Sequence, residues 1–173
     1  MTGKMQAIVC TEYGPPEVLQ LREVPTPSPT EDEVLVRVHA ASLNAADFET
    51  MRGHWSARFG GPLRPQFKIL GSDVAGRVER IGRNIKQFQP GDGVWGDLSF
   101  PHGFGAFAEY VAVSEKALAP RPASMTFEEA AAYPQAAIIA LQTLRDKAEI
   151  RPGQEVLING AGGGMGTFAV QIA

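Results

Sequence analysis

Three glycines, Gly160, Gly163 and Gly166, stand three apart in the stretch VLINGAGGGMGTFAVQIA. They lie between an apolar run at residues 156–159 and a helix-like segment beginning near Gly164. Glycine at this spacing serves a tight turn, a close backbone approach to a pyrophosphate, and close packing of helix on strand. The free N–H groups and the dipole of the helix start favour the phosphate charge. A glycine cluster alone is also compatible with a flexible turn. A strand before it and a helix after it favour dinucleotide binding, with Gly160, Ala161, Gly162, Gly163, Gly164, Met165 and Gly166 as the contact residues.

The elements that must position this turn divide the chain in two. The first two thirds are rich in short strands and turns: MQAIVCTEYG, VLQLREV, EVLVRVHAAS, ILGSDVAGRVERIG, QPGDGVWG and GAFAEYVAVSE. In the third of these, Val34, Val36, Val38 and Ala40 alternate with Arg37 and His39, which predicts a half-buried strand. PTPSPTEDE reads as an extended surface connection, AADFETMRG as a short helix ended by Gly53, and residues 55–68 as a loop. Strands at this spacing imply a small barrel or sandwich. From about Ser124 the chain turns helical. Thr126 with Glu129 fits a capping box, and Pro134 predicts a kink or two helices. EVLING then reads as a strand buried on both faces, apolar without alternation.

Composition narrows the function. A chain of 173 residues with a net charge of −3 and no basic block gives no sign of nucleic acid or anionic membrane as a partner. No run approaches the ~20 apolar residues of a membrane span. Cys10 is the only cysteine, which fits a reducing compartment and a cytoplasmic protein.

The stretch GQEVLINGAGGGMGTFAVQIA resembles the signature of the zinc-independent quinone oxidoreductase (zeta-crystallin) group of the medium-chain dehydrogenase/reductase superfamily. Gly153, Gln154, Leu157, Ala161, Gly162, Gly163, Gly164, Gly166 and Gln171 match that pattern. ILGSDVAGRVERIG, QPGDGVWG, GAFAEYVAV and MTFEEAAAYPQAA follow in the order and spacing of the same family. The resemblance implies a mostly β fold with α-helices. Residues 1–125 would be an incomplete GroES-like, partly open β-barrel domain for the substrate. Residues 126–173 would be linking helices and the first strand and helix of a Rossmann α/β domain. It also implies that the chain is an N-terminal fragment, inactive by itself, of a parent that forms a homodimer.

In the zinc branch of this superfamily a cysteine and a histidine ligate the metal. Here Asn44 and Ser72 stand at those positions, and His39, His54 and His102 have no partner at ligand spacing. The resemblance therefore implies a metal-free reductase using NADPH, with NADH not excluded. It would transfer hydride to a quinone, an α,β-unsaturated ketone or a related carbonyl. It places the cleft beside LNAADFETMRGHW. Asn44 would be a hydrogen-bond donor to the substrate oxygen or an organiser of the nicotinamide end, and Trp55 a ring that stacks on the acceptor. Asp47 would fix local backbone or pair with Arg52. For Asn44 and Asp47 a helix-capping role is an equal alternative, and for Trp55 a packing role is. Relatives often carry a Thr-Ala pair where this chain has Ile139 and Ala140, which makes Thr143 the candidate replacement near the nicotinamide. Gln135 either faces the cleft or lies on the helix surface. Two other functions stay open: an enoyl-thioester reductase of the same superfamily, and a non-catalytic protein that senses cofactor or binds a partner.

Overall fold

The computed structural model describes residues 3–99 and 103–173, so His102 lies outside the described residues. Strands β1 (Lys4–Cys10) and β2 (Leu19–Pro25) form an antiparallel ribbon. Strands β3 (Glu33–Ala41), β4 (Asp73–Ile81), β5 (Gly93–Asp97), β6 (Tyr110–Ser114) and β7 (Leu118–Pro120) form an antiparallel sheet in the order β6-β3-β4-β5-β7. The bridges Ala7↔Ala108 and Val9↔Ile69 tie the ribbon to the segments that lead into β6 and β4, and the two sheets stay open. The strand signals read from sequence thus give an open barrel, with the short β7 as an addition.

Alternation explains the core. Val34 and Val36 of β3, Val74 and Val78 of β4, Val94 of β5, and Val111 and Val113 of β6 turn to one side. There they enclose Phe88, Leu98 and Leu118. β4 is buried on its other face as well, because Ala75 packs against Ala130 and Ala131 of helix α2 (Phe127–Ala131). Two register shifts in the pairing of β3 with β4 increase the local twist and let the sheet curve.

Helix α1 (Ala45–Arg52) leaves β3 and runs to Gly53, and residues 55–68 follow as a loop holding one short turn at Ala57–Phe59. Pro134 starts a separate helix, α3 (Pro134–Gln142), which passes into a π-helical turn at Thr143–Lys147. Helix α4 (Gly164–Ile172) packs on α3 through Ala140, Leu144 and Ala169. Among the described residues, no helix is long and apolar enough to cross a membrane.

One expected element is absent. Residues 154–158 run without strand pairing, with Leu157 97% exposed. An apolar run becomes a buried parallel strand only where neighbouring strands supply hydrogen bonds and helices cover both faces. Among the described residues no strand pairs with it, and the helix after it is formed.

Candidate functional site

Two groups of residues can do chemistry, one at the head of α1 and one at the head of α4. At α1, Asn44 is the N-cap in extended conformation and forms a capping box with Asp47. Asp47 Oδ2 accepts from the Asn44 N–H at 2.8 Å, and Asp47 Oδ1 accepts from the Gly71 N–H at 3.0 Å. Asp47 is only 3% exposed, so it secures two main-chain donors from chain segments far apart in sequence. No ion pair between Asp47 and Arg52 occurs among the described residues.

The Asn44 amide points into a polar pocket below the helix. Its Nδ2 lies 3.2 Å from Ser42 Oγ, 3.1 Å from Ser72 Oγ and 2.9 Å from Asp73 Oδ2. Asp73 is a carboxylate and can only accept, which fixes the amide with its N–H groups inward. Those three acceptors share its two protons, so Asn44 holds no spare donor for a substrate oxygen. Asn44 and Ser72 do meet in space, joined by their own hydrogen bond.

Asp73 is the member of this site that sequence reasoning missed. The side chain is fully buried. Its Oδ2 also accepts from Ser42 Oγ at 2.6 Å, and its Oδ1 accepts from the Gln135 N–H at 2.9 Å. Gln135 therefore contributes its backbone at the first turn of α3. Burial pushes the carboxyls of Asp47 and Asp73 up from the usual carboxylate range; the hydrogen bonds they accept oppose that shift, and the nearby Asp97 adds to it slightly. The available signal was an acid opening a strand whose next residues read as core, since a buried acid must find several donors.

Beside α1 lies a cleft of about 580 Å³ whose walls include Thr50, Ser56, Phe59, Phe67, Ser99 and Phe104. Trp55 does not line it. That ring is 66% exposed and meets Phe59 edge-on, with centroids 5.5 Å apart. The aromatic side chains on its walls are Phe59, Phe67 and Phe104. The loop carrying Phe59 is pinned from behind. Tyr13 donates its hydroxyl to Gly61 O at 2.6 Å, and Arg58 stacks over the Tyr13 ring while bonding Gly53 O and Pro62 O.

At α4 the glycines act differently from one another. Gly160 has φ 74°, a left-handed conformation that turns the chain sharply. A Cβ on Gly166 would lie 2.3 Å from Gly160 O and 2.6 Å from Ala161 Cα, so the helix can approach the turn only without a side chain there. By contrast, a Cβ on Gly162 or Gly164 would meet nothing within 4 Å, which leaves open space in front of the helix. Among the described residues, no acceptor engages the N–H groups of Gly164, Met165 and Gly166, and the first turn of α4 holds no acid. This arrangement fits a phosphate group. Ala161 flanks the turn and Met165 is 43% exposed beside it. Thr143 is exposed at the start of the π-helical turn, and no side-chain hydrogen bond joins it to the glycines among the described residues.

Residues 30–123 match the model of the alcohol dehydrogenase GroES-like domain. The chain is 39% identical to the 2-methylene-furan-3-one reductase of Solanum lycopersicum, over 99% of this chain and 44% of that protein. It is 35% identical to the chloroplastic NADPH-dependent alkenal/one oxidoreductase of Arabidopsis thaliana, over 98% of this chain and 44% of that one. In structure it is similar to the quinone oxidoreductase from Coxiella burnetii, with a TM-score of 0.89 and 35% identity over 98% of this chain and 53% of the other. The chain thus spans about half the length of these relatives.

Proposed function

The chain belongs to the alcohol dehydrogenase GroES-like family, in the quinone oxidoreductase group of the medium-chain dehydrogenases, and from that premise we propose that the whole protein is a zinc-independent NADPH-dependent oxidoreductase. Its acceptor is a quinone, an α,β-unsaturated ketone or a related carbonyl. The observation that carries this reading is the head of α4: a turn that excludes side chains at Gly166 and, among the described residues, open space before Gly164 and three first-turn N–H groups without an internal acceptor. A reduced nicotinamide dinucleotide held there would supply the hydride.

The chain's own residues do the remaining work. The N–H groups of Gly164, Met165 and Gly166 meet the phosphate charge. Phe59, Phe67 and Phe104 offer flat apolar faces to an acceptor ring and reduce the water around it. Thr50, on the same wall, carries a hydroxyl that would donate to an acceptor oxygen as negative charge develops on it, while the Ser56 hydroxyl meets His54 Nδ1 at 3.1 Å. Asn44, with its N–H groups committed inward, organises the head of α1 rather than donating to the substrate. Solvent supplies the final proton.

Zinc independence is supported by donor chemistry. An amide N–H turned towards a serine hydroxyl offers no lone pair to a cation, and neither group is a ligand that zinc prefers. The test is NADPH and NADH consumption by the full-length protein against a panel of quinones and enones, with and without a strong chelator. Turnover that survives the chelator is expected; absence of turnover with every acceptor overturns the reading, and loss on chelation overturns its metal-free part.

A further inference from the structure

The carboxylate of Asp73 touches neither the cleft nor the glycine turn, yet it is bonded to the parts that carry both. Oδ2 holds Ser42 and Asn44, which lead into α1, and α1 contributes Ala46, Glu49 and Thr50 to the cleft wall. Oδ1 holds the Gln135 N–H in the first turn of α3. Helix α3 in turn packs on α4, the helix behind the glycine turn, through Ala140, Leu144 and Ala169. A chain of rings runs alongside: Trp95 of the sheet meets Tyr133 at 6.2 Å, and Tyr133 meets Phe168 of α4 at 4.9 Å.

Resting on the oxidoreductase reading above, we propose that Asp73 is a positioning residue for hydride transfer: one oxygen fixes the acceptor side at Asn44, the other fixes the helix pair bearing the glycine turn, and the two halves of the reaction are held in register by a single buried carboxylate. A carboxylate suits this role because it accepts on both oxygens and is rigid. An amide in its place offers one acceptor and one donor, so it cannot receive both Asn44 and Gln135. With Asp73→Asn, the Asn44 amide must turn over to accept from the new N–H group. The exchanged pair Asn44→Asp with Asp73→Asn restores the pattern. The amide at position 73 then receives the Gln135 N–H on its oxygen and donates to the carboxylate at position 44, and the serine hydroxyls rotate to follow.

The experiment uses the full-length protein and four forms: wild type, Asp73→Asn, the exchanged pair, and Ser42→Ala. NADPH dissociation constants, kcat with one enone, the isotope effect from deuterated NADPH and solvent exchange of the Asn44 side-chain amide protons are measured. The expected result for Asp73→Asn is kcat lower by about tenfold or more, because small displacements of reacting groups are costly. Its NADPH affinity stays near that of wild type, its isotope effect rises, and its Asn44 protons exchange quickly. The exchanged pair regains most of kcat. Should Asp73→Asn fail to fold, Ser42→Ala is expected to move kcat and the isotope effect in the same direction by less. Unchanged kcat per folded molecule in these variants, with only thermal stability reduced, overturns the positioning role, as does an exchanged pair that folds without recovering kcat. A wild type that oxidises no NADPH with any acceptor overturns the oxidoreductase reading instead, and its inactivity separates the two failures.

Discussion

The heads of α1 and α4 solve the same physical problem in opposite ways. Every helix starts with N–H groups that lack internal partners and with an excess of positive potential. At α1 the chain supplies the negative charge itself: Asp47, in the first turn, returns its carboxylate to the Asn44 N–H, and Asn44 O accepts from the Asp47 N–H. At α2, Thr126 and Glu129 close a reciprocal box, and at α3 the carboxylate comes across from the sheet, from Asp73. At α4 there is no acid in the first turn and no side-chain cap. A helix start that carries its own carboxylate is a structural joint. One left incomplete, with glycines clearing the space in front, is ready for an anion from outside.

The contrast breaks most sharply at α1. Asp47→Ala leaves the N–H groups of Asn44 and Gly71 without acceptors, at about 1–3 kcal/mol for each buried donor. Removing a carboxylate that burial already disfavours offsets part of this, so a net loss of about 2 kcal/mol is expected in denaturant unfolding. Affinity for NADPH in the full-length protein should move little. A variant as stable as wild type would mean that α1 does not depend on its internal carboxylate.

The next effect belongs to α4. Gly166→Ala forces a methyl group against Gly160 O and Ala161 Cα, both main-chain atoms that can yield only if the turn opens. Overpacking of this kind costs about 1–3 kcal/mol, and a turn opened to relieve it loses its aim at the phosphate. NADPH affinity measured by fluorescence should fall by about tenfold or more. Unchanged affinity would show that close packing of helix on turn is irrelevant to binding.

These two heads were unequally legible in the sequence. The glycine turn was readable because its requirements are local: a residue without Cβ at Gly160 and at Gly166, spaced by the geometry of one turn. The strands were readable for the same reason, since Val34, Val36, Val74 and Val78 alternate within their own segments. What escaped was non-local. Asp73 looks like an ordinary acid until Ser42 and Gln135, 31 and 62 residues away, are brought to it. Trp55 and Phe59 are both aromatic residues in one loop; Phe59 lies on the cleft wall, and Tyr13 and Arg58, the first of them far off in sequence, hold that loop. Residues 156–159 show the same dependence on distant partners. Their apolar run is a correct local signal for a strand, but a strand is a property of its neighbours.

The smallest change in stability should give the sharpest test of the comparison, because it moves two observables in opposite directions. Gly164→Asp converts the head of α4 into something closer to the head of α1. The position has open space around the added Cβ, so no packing cost is expected. A negative charge in the first turn should stabilise the helix by about 0.3–1 kcal/mol, a gain seen as a slightly raised Tm. The same charge occupies the space an anion would use, and like charges brought together at a binding surface cost several kcal/mol. NADPH affinity should therefore fall while stability rises. Gly164→Asn separates charge from bulk, since the amide has nearly the same shape without the charge. If Gly164→Asn binds NADPH far better than Gly164→Asp, the head of α4 is an electrostatic site left open for phosphate. If both bind as wild type does, the cofactor is held elsewhere, and the open head of α4 is not an anion site.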